Sequence, residues 1–397
     1  MWKSHARPDR ARHDPGLTDT SGTEEQTKLR RRAALRAAGR TLWRSTLDAT
    51  VGERLAELTD GAWTVADPDR AVDLYGDELV ADLETRVAGL LGKEAAVFFP
   101  TGTMAQQAAL RSWAGRTGDA TVALHPLAHP EVHERDAFGT VSGLRVVHPT
   151  QERRLPGAEE IRDLDEPFGT LMLELPLRDA GFVLPTWEEL SATVEAARER
   201  DAVVHFDGAR LWECTTHLGR SLDEIAALAD SVYVSFYKSL GGLGGAALAG
   251  PRSLVEEARA WRHRYGGTLF QQFPTVLSAL LGLERELPRL PQYVTHARVV
   301  AAALDEGLGA AGVAWHRVHP EPPHTHQFCV WLPYEPEVLT DAAVRQAEET
   351  GTALFRRWLP STVPGLALTE VTVAGPGLEW SGEDVRVAVA DFVQRLR

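Results

Sequence analysis

The sequence predicts an α/β protein: a mainly parallel sheet of seven strands flanked by helices, followed by a smaller C-terminal α/β domain. The first observation is a series of seven short apolar runs, at 95–99, 122–124, 144–147, 171–175, 203–206, 232–236 and 246–249. The second is the helical patterning between many of them, as at 104–114, 187–199 and 221–229. Strand and helix alternating at this spacing require crossover connections, which put helices over both faces of a parallel sheet. The third is a change of character after Pro251. Helical stretches at 253–264, 274–287 and 294–308 precede a strand at 328–332 and helices at 340–349 and 382–396. The expected division is a basic arm and helix at 1–60, a large domain at 61–290 and a small domain at 291–397. The Pro-rich segment 319–324 reads as a loop.

The composition, 44% hydrophobic and 25% charged over 397 residues, is that of an ordinary globular chain. A net charge of -14 argues against general nucleic-acid binding. Residues 1–45 nevertheless carry eleven Lys/Arg against five Asp/Glu. This start is expected to be a solvated, partly disordered arm whose later part, 29–43, is helical, or else a helix that packs on a partner subunit. No apolar run reaches the roughly 18 residues that span a membrane, and the N-terminus has no apolar core of a secretory signal. Two cysteines, Cys214 and Cys329, make no disulfide framework and fit a reducing, cytoplasmic setting.

Chemistry enters with Lys238. Four lysines stand against 38 arginines, so arginine serves wherever only positive charge is needed. Lys238 ends an apolar run, SVYVSFYKSLGGLGGAAL, and enters a glycine-rich turn. Desolvation lowers a lysine pKa and makes the amine a nucleophile able to form an imine, which arginine cannot do. A strand-end lysine snorkelling to solvent is the alternative. In HFDGARLW, Asp207 falls at the C-terminal end of a strand, the usual ligand edge of such a sheet. A carboxylate there can keep a pyridinium nitrogen protonated, and with Lys238 about thirty residues on it suggests pyridoxal phosphate (PLP). Alone, Asp207 reads equally as a helix N-cap.

Three further features fit around this pair. Arg210 can bind a carboxylate bidentately. In FFPTGTMAQQAAL, Thr101, Gly102 and Thr103 open a helix whose free N–H groups and dipole favour a phosphate, though a simple threonine cap looks the same. His125, His129 and His133 recur every four residues, but Pro126 and Pro130 interrupt that helix. No metal site is therefore expected, and an imidazole stacking on an aromatic cofactor is the better use. The cluster His316, His319, His324 and His326 reads as loop and strand residues rather than a metal site.

Together the segments DLYGDELVADLETRVAGLLGKEAAVFFPTGTMAQQ, HFDGARLW, SFYKSLGGLGG and WRHRYGGTLFQQ resemble the threonine aldolase and β-eliminating lyase group of fold-type-I PLP enzymes. The resemblance implies a homodimer or homotetramer with active sites at the subunit interface. It implies that Lys238 is the Schiff-base lysine and Asp207 the partner of the pyridine nitrogen. Arg210 would bind the substrate carboxylate, Gly102 and Thr103 the phosphate, and His129 would stack over the ring. Tyr75 and Glu134 resemble family positions near the active site.

The resemblance also carries departures. The family's early Arg-Ser-Asp-Thr motif is not recognisable. An Asn-rich turn is replaced by ELPLRDAG, which keeps Glu174. Phe270 stands where an arginine is expected, and Glu370 stands at or beside a second carboxylate-binding arginine. The expected activity is aldol-type cleavage of a β-hydroxy-α-amino acid to glycine and an aldehyde. In that reading Lys238, Asp207 and His129 carry the catalysis, with His129 or a water held by Glu134 as base. A β-eliminating lyase, or a non-catalytic PLP-binding relative acting through the basic arm, are the alternatives.

Overall fold

The computed structural model describes residues 20–44 and 49–396. The central sheet has seven strands: β2 (Ala95–Phe99), β3 (Thr121–Ala123), β4 (Arg145–Val147), β5 (Thr170–Glu174), β6 (Val203–Gly208), β7 (Ser231–Ser235) and β8 (Ala246–Gly250). β1 (Arg40–Thr41) lies elsewhere. The order across the sheet is β2-β8-β7-β6-β5-β3-β4. All pairings are parallel except those of β8, which runs antiparallel to both β2 and β7. The sheet is therefore mainly parallel, as the alternating pattern predicts. The exception arises because β7 and β8 are joined by the short glycine-rich hairpin rather than by a crossover helix.

The helices in chain order begin with α1 (Thr20–Ala37), α2 (Val51–Val65), α3 (Leu79–Leu90), α4 (Gly102–Thr117), α5 (His129–His133), α6 (Ala137–Ser142), α7 (Ala158–Arg162) and α8 (Trp187–Arg198). They continue with α9 (Thr215–Leu218), α10 (Leu222–Ala227), α11 (Arg252–Arg264), α12 (Phe273–Arg285), α13 (Leu290–Ala310), α14 (Pro336–Thr350) and α15 (Gly382–Gln394). α4 starts where the Thr101 hydroxyl accepts from the Met104 N–H at 3.3 Å, and it stops at Gly118, whose φ of 74° suits glycine. α14 begins four residues before the 340–349 expectation, because Pro336 is preorganised for a first helical turn.

A second antiparallel sheet, ordered β12-β13-β10-β9, comprises β9 (Arg317–His319), β10 (Gln327–Leu332), β12 (Leu359–Pro360) and β13 (Ala367–Thr372). Its core gathers Leu304, Phe328, Val330, Val371, Val389 and Phe392, together with Ala34, Leu35, Leu42 and Trp43. The N-terminal segment is thus not a solvated arm where the structure describes it. α1 ends at Ala37, short of the 29–43 expectation, and β1 then pairs in parallel with β11 (Thr352–Ala353). Arg30 binds Glu348 and Asp341 on α14, at 2.6 and 3.1 Å. The expected arm residues 1–19 lie outside the described residues. Among the described residues no helix is long and apolar enough to cross a membrane.

Candidate active site

The site begins with register. β5 and β6 are buried along their length and pair so that Glu174 lies beside Asp207 at their C-terminal ends. Asp207 is 2% exposed; its Oδ1 accepts from the Ala209 N–H at 3.1 Å, and Oδ2 meets no donor among the described residues. Glu174 accepts from the backbone N–H groups of His129 (2.7 Å) and Arg178 (3.2 Å). Burial raises both carboxyls, and the neighbouring Asp207 charge helps push Glu174 up to about 7.

Lys238 sits in the hairpin between β7 and β8, where Ser235 pairs with Ala246. The turn is tight: the Gly242 N–H donates to the Phe236 carbonyl at 2.8 Å, and a Cβ on Gly242 would lie 2.8 Å from that oxygen. Such a contact admits only glycine. The Lys238 Nζ makes no hydrogen bond or ion pair among the described residues and stands 5.8 Å from the Tyr237 ring centroid. Burial, assisted by the Arg210 charge, brings its amine down to about 8.

At the start of α4, a Cβ on Gly102 would lie 2.1 Å from the Tyr233 hydroxyl, so glycine there follows from β7 packing close against the turn. Thr103 Oγ1 donates to Glu134 Oε1 at 2.9 Å, and the same oxygen lies 3.2 Å from His129 Nδ1. Glu134 thereby ties the candidate phosphate turn to the candidate stacking imidazole. Its Oε2 is buried without a partner. The expectation that Pro126 and Pro130 prevent a helix holds only in part. α5 forms one short turn, with Pro130 in its first turn, where no N–H partner is lost. His125 is spent locally: its Nδ1 accepts from the Leu127 N–H at 2.9 Å.

Two arginines approach Lys238, and both lower its pKa. Arg210 Nε donates to Gln327 Oε1 at 2.7 Å, and its guanidinium lies 5.3 Å from the Phe182 ring centroid. It pairs with no carboxylate among the described residues. Arg178, which sequence reasoning passed over, contacts Glu370 on β13 at 2.6 Å and Asp179 at 3.0 Å. A guanidinium therefore reaches the strand position where the resemblance expects an arginine, arriving from the loop after β5. The available signal was the basic residue four positions after Glu174 in ELPLRDAG. Glu213 was also passed over, and His326, read from the sequence only as a loop or strand residue, forms with it a buried pair 2.7 Å apart behind Arg210.

The structure does not bring Tyr75 to this cluster. Tyr75 is 59% exposed, with its ring edge-on to the exposed Phe270 at 5.5 Å. The remaining seven predicted residues, Gly102, Thr103, His129, Glu134, Asp207, Arg210 and Lys238, lie along one edge of the sheet.

A mainly parallel sheet presenting a lysine in a hairpin and a carboxylate at its strand ends defines a class. The fold is that of the fold-type-I PLP-dependent enzymes, shared with a Leishmania major threonine aldolase structure (TM-score 0.62, 19% identity, covering 86% of this chain and 96% of that one). The model of the beta-eliminating lyase family matches residues 64–319, and the chain belongs to that family. A Listeria monocytogenes EGD-E structure described as a candidate L-allo-threonine aldolase is 32% identical, with a TM-score of 0.82 over 93% of this chain and 99% of that one. The low specificity L-threonine aldolase of Escherichia coli (strain K12) is 31% identical over 61% of this chain and 78% of its own length.

Proposed function

We propose that this chain is a PLP-dependent lyase of threonine-aldolase type, cleaving Cα–Cβ of a β-hydroxy-α-amino acid to glycine and an aldehyde. The observation that carries the reading is a desolvated Lys238 amine and an Asp207 Oδ2, each without a partner among the described residues, at the same edge of the sheet. The names of the relatives above support it.

The donor set fits PLP. Lys238 supplies the amine that takes the aldehyde, and the N–H groups opening α4 with the Thr103 hydroxyl suit the phosphate. Asp207 Oδ2 suits a ring nitrogen, and His129 suits the ring face. When bound, PLP would supply an electron sink for the bond cleaved at Cα.

Burial disfavours the ionised Asp207, and a protonated ring nitrogen against its free oxygen would restore that ionisation. Arg210, lacking a carboxylate partner, takes the α-carboxylate and fixes which bond at Cα is cleaved. His129, oriented by Glu134, accepts the β-hydroxyl proton as the Cα–Cβ pair leaves toward Cα and the carbonyl of the aldehyde forms. A proton returned to Cα completes glycine.

We also propose a homo-oligomer. The exposed Tyr75 and Phe270, with an apolar cleft of about 390 Å³ lined by Leu55, Leu58, Val72, Phe273 and Leu277, support burial of this face against a second copy. There Tyr75 would serve the partner's site. The buried free thiols of Cys214 and Cys329 fit the cytoplasm.

The test is turnover of a panel of β-hydroxy amino acids by the PLP-loaded protein. Aldehyde with stoichiometric glycine is expected. Keto acid and ammonia without glycine would select the β-eliminating alternative, which the Arg178–Glu370 departure favours. No product from any substrate would overturn both.

A further inference from the structure

Behind Arg210 and Lys238 lies a buried charged pair. Glu213 and His326 are 1% and 3% exposed, and Oε2 and Nε2 are 2.7 Å apart, an ion-pair contact without the linear geometry of a hydrogen bond. His326 Nδ1 faces the Val373 carbonyl at 2.7 Å, which can only accept. Both ring nitrogens thus face acceptors, the arrangement of an imidazolium. Burial alone would lower the imidazole pKa, but Glu213 reverses the direction, and Glu213 is itself held down by His326.

The two residues flank strands of different sheets, β6 and β10. Glu213 closes the 3-10 turn Leu211–Glu213 after Arg210, and His326 precedes β10. Each is one hydrogen bond from the site. Ser239, next to Lys238, donates to Glu213 Oε2 at 2.5 Å. Gln327, next to His326, accepts from Arg210 Nε at 2.7 Å while its Nε2 donates to Thr372 Oγ1 at 3.1 Å. Arg210 Nε can only donate, so it selects the amide oxygen of Gln327, and the amide nitrogen is left to donate to the Thr372 hydroxyl. Tyr293 stacks on the imidazole at 6.0 Å. A buried ion pair adds little net stability against an apolar replacement of the same shape, whereas fixing register between elements is its best-attested use.

We infer that Glu213 and His326 are positioning residues, locking the small-domain sheet to the turn that carries Arg210 so that Gln327 aims the guanidinium at the substrate carboxylate. The inference rests on the proposed carboxylate role of Arg210. Glu213 contributes the near side of the lock and His326 the far side, and neither is among the residues proposed to hold substrate or cofactor.

The test uses the full-length, PLP-loaded protein. Gln327→Leu removes the amide and spares the ion pair; His326→Gln removes the charge and keeps a donor. Both variants are expected to raise KM for the amino acid about tenfold, with kcat changed by less than about threefold. Crystal structures should show the Arg210 guanidinium displaced by on the order of 1 Å, enough to matter for reaction geometry. If His326→Gln does not fold, Glu213→Gln, which removes the other charge of the pair, takes its place. An unchanged KM with Arg210 in its original place, in the variant of the pair or in Gln327→Leu, would overturn the inference, even if melting temperature fell. Were the unaltered protein inactive on every amino acid, the proposed function would fail, while the position of Arg210 in the crystal structures would still decide this inference.

Discussion

The proposed cofactor end of the site is set by the backbone of one sheet, and the proposed substrate end by side chains that cross between two. Asp207 and Glu174 are neighbours because β5 and β6 pair in register, and Lys238 is placed by the hairpin that β7 and β8 close. Arg210 and Arg178 are instead held by Gln327 and Glu370, which belong to β10 and β13 of the other sheet. Backbone register tolerates substitution around it. A side-chain bridge depends on both of its ends, so the proposed substrate end is where departures from the family pattern are expected and the proposed cofactor end is where they are not. The difference teaches where specificity can change without loss of the chemistry.

The largest expected effect tests the cofactor end. Lys238→Ala should lower turnover by at least about 10⁴-fold, since no other described amine is near; the assay is aldehyde release, and residual activity near that of the unaltered protein would contradict the assignment. Asp207→Asn, which keeps the shape and removes the charge, should lower kcat by about 10³-fold while PLP still binds, as read from visible absorption. At the substrate end, Arg210→Lys keeps the charge but loses the planar fork. It should raise KM by roughly 10- to 100-fold, the equivalent of about 1.5–3 kcal/mol, with kcat much less affected.

A smaller effect concerns pH. Capture of PLP needs the neutral amine, whose share grows as pH rises through about 8. The rate of PLP loading onto the apoprotein should therefore climb through that value and level off above it. A rate that keeps rising toward the ordinary lysine range would show that Lys238 is not desolvated. The smallest effect is expected from Glu370→Gln. Arg178 retains Asp179, and the pair is partly open to solvent, with side chains 19% and 25% exposed. Stability should drop by roughly 1 kcal/mol, with a change of a few-fold in KM rather than in kcat. An equal fall in both would place Glu370 in the chemistry itself.

The strands of the large sheet and the residues at their ends were legible in the sequence for a common reason. A buried parallel strand must be a short apolar run, and a polar residue at its end then stands out, as Asp207 and Lys238 do. Weaker elements were not legible. β13 has the alternating burial of a half-covered strand, and β1 and β11 are two residues each, too short for any periodicity. The first helix read as a solvated arm because its many arginines dominate its composition. Only its packing against α14, with Asp341 and Glu348 facing Arg30, makes it part of the core beside the four-stranded sheet.

The sequence by itself determined the class of sheet, the lysine, the acid and the glycine turn, because each follows from local patterning and from chemistry that admits few residue types. The tertiary structure alone decided that Glu134 joins Thr103 to His129, that Arg178 meets Glu370, and that Glu213 and His326 form a buried pair behind Arg210. It also decided that Tyr75 stands away from the site in its own chain. Apart from the neighbours Glu134 and His129, these pairings join residues from about thirty to nearly two hundred positions apart. Such contacts are chosen by how the elements pack and leave no period or spacing in the sequence.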